Sequence, residues 1–177
     1  MGKFLVILTL GCAIVAGAGM YYLQVYHFYR EVPVYVEVPE RTLEMTSRVT
    51  GKPEPVPYDN FRAIDANSSP IRYRACFTTM LDHAMLRDTY ESYDNAVPLT
   101  APGWFDCFDA EELGAALERG EALAFLGTKN IQYGIDRVVA IHEDGRGFVW
   151  HQINRCGEVV FDGQRAPEGC PEPPEGY

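Results

Sequence analysis

Arg137-Val-Val-Ala-Ile-His142-Glu-Asp-Gly-Arg-Gly147-Phe-Val-Trp-His-Gln-Ile153 carries the clearest strand signal in the chain. Two runs rich in β-branched and aromatic residues flank a polar break with two glycines, the pattern of a β-hairpin. If Glu143 pairs with Phe148, His142 and His151 fall on one face as diagonal neighbours. Upstream, Ala122–Leu126 reads as a strand that stops at a Gly127-Thr-Lys-Asn130 turn. Before it, Asp109-Ala-Glu-Glu112 resembles a capping box, Leu113, Ala116 and Leu117 share a face, and Arg119-Gly120 closes a helix. Farther upstream, Ile71–Cys76 alternates as a strand, and apolar residues recur at helical spacing from Phe77 to about Tyr93. Downstream, Glu158–Phe161 reads as a short last strand. Helices followed by mostly antiparallel strands predict an α+β domain with about two helices.

The opening of the chain differs from all of this. Phe4 to Leu23 is apolar without one charge, and twenty residues at about 1.5 Å each match a bilayer core of about 30 Å. A retained anchor, a cleaved signal with Ala16-Gly17-Ala18 as its site, and a lipoprotein signal at Cys12 all compete. The apolar run continues past Ala18 through Leu23, and the run before Cys12 is only eight residues, Phe4 to Gly11, so a retained span is the expectation. Tyr21, Tyr22, Tyr26, His27, Phe28 and Tyr29 then form an aromatic girdle ending at Arg30, and the helix is expected to reach about that residue. Thr9, Ala13 and Gly17 are spaced by four, the small-residue face that lets membrane helices approach closely. They are the residues expected to contact a partner helix.

Lys3 faces Arg30 and Arg41 across the span, so the positive-inside count is near a tie. Cysteine usage breaks it. Cys76, Cys107, Cys156 and Cys170 form an even set suited to two disulfides, which persist mainly in oxidising compartments. The N-terminus is therefore expected in the cytoplasm and the domain in a bacterial periplasm. Of the three possible pairings, Cys76–Cys107 with Cys156–Cys170 is favoured, since the second bridge would pin the proline-rich tail. The expected organisation is an anchor helix over 1–30, an extended Pro-rich connector over 31–60, the domain over 61–165 and a tail over 166–177. The connector reads as a strap lying over a neighbour, because its alternating valines and Lys52-Pro-Glu-Pro-Val-Pro57 favour extended geometry.

The chain carries 15 basic and 25 acidic residues, and only Lys3 and Arg30 precede Glu31, leaving 13 basic against 25 acidic, a formal −12, outside the span. That balance excludes nucleic acid as a partner and suits a basic soluble one such as a mitochondrial-type cytochrome c. No Gly-x-Ser-x-Gly, Walker loop, Gly-x-Gly-x-x-Gly or His-Glu-x-x-His occurs. His142 and His151, with Asp136 or Glu158, are a weak metal set. Asp106, Asp109, Glu111 and Glu112 answer a helix dipole better than they suit acid–base work. Pro102-Gly-Trp-Phe105 suits either a binding loop or a core turn. No catalytic residue, metal ligand or cofactor is expected.

The opening Met-Gly-Lys-Phe-Leu-Val-Ile-Leu, the Tyr26-His-Phe-Tyr-Arg30 belt and the Ala101-Pro-Gly-Trp-Phe-Asp-Cys107 segment carry a resemblance. The chain is similar to small, uncharacterised single-span membrane proteins of alphaproteobacteria, of the Rhodobacter type. Some such proteins are accessory or assembly subunits of respiratory complexes. The resemblance implies a non-catalytic accessory subunit docked to integral membrane proteins through the N-terminal helix, the complex being a cytochrome c oxidase or its supercomplex. A membrane-tethered binding or enzyme domain and a transient assembly factor are the alternatives.

Overall fold

A computed structural model describes residues 2–33 and 43–175 of the chain. Helix α1 spans Gly2–Tyr22 and continues as one π-helical turn over Leu23–His27. At 26 residues of mean hydropathy 2.1, that unit has the length and composition of a membrane span or of a signal sequence. The helix stops at Phe28, two residues short of the expectation, because the backbone leaves it to form strand β1, Arg30–Glu31.

The domain is built on a six-stranded antiparallel sheet. Its strands are β1, β4 (Asp59–Asp65), β5 (Arg74–Thr78), β6 (Ala122–Gln132), β7 (Ile135–His142) and β8 (Arg146–Ile153), in the order β1-β4-β5-β8-β7-β6. Strands β2 (Glu44–Thr46) and β3 (Pro53–Pro55) form a separate hairpin. Helices α2 (His83–Thr89), α3 (Ala110–Arg119) and α4 (Arg155–Phe161), with a 3-10 turn over Pro70–Arg72, complete the described elements.

Both faces of the sheet are covered, which explains why its central strands read as nearly unbroken apolar runs. Alternation assigns Val139, Ile141 and Val149 to one face, where they meet Leu43, Met45, Val56 and Leu86 from the β2–β3 hairpin and α2. Val138, Ala140, Phe148 and Trp150 point the other way, onto Phe105, Phe108, Leu113 and Ala116. Trp150 and Met45 are each fully buried. Burying a side chain of that size stabilises by about 1.5–3 kcal/mol.

Four expectations need correction. Residues 43–60 are not a strap: Leu43, Met45, Thr46, Ser47 and Val56 are buried in the domain, and residues 34–42 of the expected connector lie outside the described residues. Proline in that stretch ends short strands, and the apolar residues between the prolines decide its burial. The helical spacing after Phe77 yields only a seven-residue helix, because Phe77 and Thr78 complete β5. β6 does not end at Gly127; it runs to Gln132 through two irregularities in register. Glu158–Phe161 is helical, in α4, where the Asn154 side chain accepts from the amides of Cys156 and Gly157.

The hairpin itself forms, in a different register. Ile141 pairs with Gly147 and Arg137 with His151. The Glu143–Phe148 pairing is replaced by a short loop in which Gly145 adopts φ of 86° and its amide donates to the His142 carbonyl. Such a left-handed position costs glycine little.

Candidate functional site

The most structured feature outside the core is the junction at which α1 meets the domain. A helix leaves its last carbonyls without intrahelical partners. Here the domain supplies two of them: Trp104 Nε1 donates to the Val25 carbonyl at 2.7 Å, and Arg72 Nη1 donates to the Gln24 carbonyl at 3.3 Å. Tyr29 fills the angle between them, edge-on to Trp104 at 6.1 Å and beneath the Arg72 guanidinium at 5.4 Å. The chain then joins the sheet through Arg30 opposite Asp65 and Glu31 opposite Ile64, and the Val32 amide donates to the Ala63 carbonyl.

Trp104 and Arg72 are held in place from β5. Arg74 is 3 % exposed and its guanidinium donates to the carbonyls of Leu99, Thr100, Ile71 and Tyr73. It therefore ties the turn that presents Arg72 to the loop that presents Trp104. Burial pulls this guanidinium down to about 10, so it is cationic at neutral pH. Two residues along the same face of β5, Cys76 is bonded to Cys107 and closes the other end of the loop. Phe105 and Phe108 anchor the segment in the core. Within Pro102–Phe105, which the sequence leaves open between a binding loop and a core turn, Phe105 is core and Trp104 holds the helix. Arg72, Arg74 and Tyr29 were not singled out as site residues. No motif marks them, although a basic pair flanking Tyr73 in an apolar strand is a signal that buried hydrogen bonding is needed.

The remaining candidates separate. Cys156 is bonded to Cys170, and the Tyr133 hydroxyl donates to the Pro171 carbonyl, so the tail lies against the domain. Cys12 is exposed on α1. Thr9, Ala13 and Gly17 stand exposed along one side of that helix, where the Thr9 hydroxyl donates to the Leu5 carbonyl.

His142 and His151 lie on opposite faces, because the observed register puts them an odd number of pairs apart. His142 sits beside Asp144 at 3.2 Å. His151 is buried and stacked on Tyr73 at 4.8 Å. Arg137 Nε can only donate, so His151 Nε2 accepts at 3.1 Å and Nδ1 carries the proton to the Pro70 carbonyl at 2.7 Å. Burial first, and then the Arg137 charge, push this imidazole down to about 4.

Asp136, one of the two carboxylates considered beside the weak histidine pair, accepts from the Asn130 amide, Asn154 Nδ2 and the Tyr93 hydroxyl. Burial, and then that carboxylate, raise the Tyr93 phenol. This network fixes the β6–β7 end to α4, where Gly134 and Gly157 pack so closely that a Cβ on either would strike the other's backbone. Glu158 lies in the first turn of α4. Among the described residues no group of three His, Cys, Asp or Glu side chains is close enough to hold a metal ion.

Asp109 caps α3, accepting from the amides of Glu111 and Glu112. Asp106 pairs with Arg62 at 2.9 Å and Glu112 with Arg146 at 3.3 Å. These exposed pairs contribute about 1 kcal/mol at most. The arrangement as a whole is mechanical: it fixes a helix to a domain.

A family model matches residues 43–171, from the buried Leu43 to the tail just beyond Cys170. The chain belongs to the family of unknown function DUF6446. The DUF6446 match contains both disulfides, Arg72, Arg74 and Trp104, and it begins where the β2–β3 hairpin enters the core. No curated protein and no solved structure matches the chain.

Proposed function

We propose that this DUF6446 protein is a non-catalytic, single-span accessory subunit of an inner-membrane multisubunit complex, with α1 as its retained anchor and its acidic domain on the periplasmic side. One observation carries the reading. α1 has no buried residue within its own chain, yet its outer end is fixed to the domain rather than left on a free linker. A tether needs no such clamp, whereas a docking subunit does, because the helix and the domain must meet a partner in one fixed relation. Thr9, Ala13 and Gly17 are the contact residues we assign to integral membrane subunits. Two disulfides suit an oxidising compartment. The resemblance to Rhodobacter-type single-span proteins supports a respiratory oxidase or its supercomplex as the assembly, and the formal −12 outside the span supports a basic cytochrome c as a soluble visitor.

A second reading, a membrane-tethered binding domain, draws on an open groove of about 480 Å³ lined by Tyr93, Asp94, Asn95, Leu117, Glu118 and Leu123. Purification of the full chain in mild detergent, a native gel and mass spectrometry of the co-migrating bands separate the two. The accessory-subunit reading expects stoichiometric membrane proteins, a haem protein among them. A lone monomer contradicts it, and substoichiometric companions indicate an assembly factor instead.

A further inference from the structure

We infer that one edge of the domain, formed by Pro70–Arg72 and Pro102–Trp104, rests in the phospholipid headgroup layer, with the Trp104 ring at the boundary between headgroups and acyl chains. The inference rests on the proposed membrane span. Twenty apolar residues from Phe4 to Leu23 cover about 30 Å, the whole hydrocarbon thickness. The carbonyls of Gln24 and Val25 then stand at the boundary itself. Trp104 and Arg72 donate to those two carbonyls, so these domain side chains lie at the same depth. An indole with an apolar body and one polar contact, beside an arginine stacked on tyrosine, has the chemistry favoured at that depth. Tyr26 and Phe28, both exposed, extend the same belt around the helix.

Charge agrees with this posture independently. The junction balances Arg30 and Arg72 against Glu31 and Asp65. One cluster of acids lies at the other end of β8: residues 109–121 and 143–146 carry seven acidic side chains against Arg119 and Arg146. Glu112 is tied to Arg146, which opens β8, whereas Trp150 farther along that strand sits opposite Arg74. The four residue steps from Arg146 to Trp150 span roughly 13 Å. That exceeds the screening length of about 8–10 Å, so this cluster is held clear of anionic lipid while the neutral edge meets it.

The test uses the full chain in vesicles of phosphatidylcholine and phosphatidylglycerol whose acyl chains are brominated either near the headgroup or near the methyl end. The chain has two tryptophans, and Trp150 is shielded at 0 % exposure. Shallow bromines are expected to remove about half of the emission, the share of one boundary tryptophan in two, and Trp104→Phe should abolish that loss while Trp150 still emits. Gly103→Cys in a Cys12→Ala background, labelled with bimane, reads the same depth without Trp104; Gly103 is exposed and a Cβ there meets nothing within 4 Å. Bimane quenching by shallow lipid supports the inference. If the chain resists alkaline washing from the vesicles but neither probe is quenched, or deep bromines quench more strongly, the inference fails alone. Removal of the chain by that wash overturns the membrane span and the inference with it.

Discussion

Helix α1 and the sheet domain of this protein solve opposite problems. α1 satisfies its backbone locally along its length, except at its ends, and buries nothing in its own chain, whereas each central strand of the sheet is buried on both faces and needs partners distant in sequence. The difference teaches where the missing contacts must come from. The domain is complete in itself, with two core layers, two disulfides and a satisfied buried arginine. The helix is complete only in another environment. Among the described residues the helix end is held to the domain at Trp104 and Arg72, so perturbations should divide into those felt by the domain and those felt by the helix.

The largest domain effect is expected at Trp150, whose truncation to alanine leaves a cavity between the sheet and α3. Denaturant unfolding in detergent should show a loss of about 3–5 kcal/mol, with α1 still helical by far-ultraviolet circular dichroism. Joint replacement of Cys76 and Cys107 by serine should cost about 2–4 kcal/mol in the same assay and should loosen the loop that carries Trp104. A loss under about 0.5 kcal/mol would mean that Arg74 and the Phe105 and Phe108 anchors hold that loop unaided.

Acid should act on the domain alone. His151 is held near a pKa of about 4 in the fold and returns to about 6.5 on unfolding. The unfolded chain therefore binds the extra proton between those values, and stability present above pH 6.5 is lost as pH falls toward 4, with no further loss below it. At 1.36 kcal/mol per pH unit the ceiling is about 3 kcal/mol. Unfolding midpoints measured from pH 7 to pH 4.5 should fall for the wild type and fall much less for His151→Gln. Equal slopes would remove His151 as the cause.

The smallest effect belongs to the junction. Trp104→Phe deletes one hydrogen bond, worth about 1 kcal/mol, while keeping an aromatic ring beside Tyr29. Limited proteolysis between Phe28 and Pro33 should speed up about fivefold with global stability nearly unchanged. If cleavage there is unaffected, the helix and the domain are not latched at this point.

Much of the division between the two regions is legible in the sequence. An apolar run of twenty residues announces a helix by composition alone, and the Glu143–Gly147 break announces a hairpin. Register was not legible, because the turn that sets it depends on Gly145 adopting a left-handed backbone, and a slip of this kind moved His142 and His151 to opposite faces. α4 was read as a strand since Val159, Val160 and Phe161 favour β structure; its cap, Asn154, acts only once Asp136 and Asn130 hold that side chain. Residues 43–60 were read by their prolines, although Leu43, Met45 and Val56 carry the packing information. Arg72 and Arg74 escaped notice because their partners are backbone carbonyls, which leave no trace in side-chain patterns.

On the proposed function, the bare helix finds its partners in another protein. The most direct test is co-purification of membrane subunits with a tagged chain carrying Ala13→Leu and Gly17→Leu, compared with wild type at equal membrane insertion. The account predicts about a tenfold fall in recovered partner, with the domain folded and both disulfides intact. Unchanged recovery of the partner would contradict it.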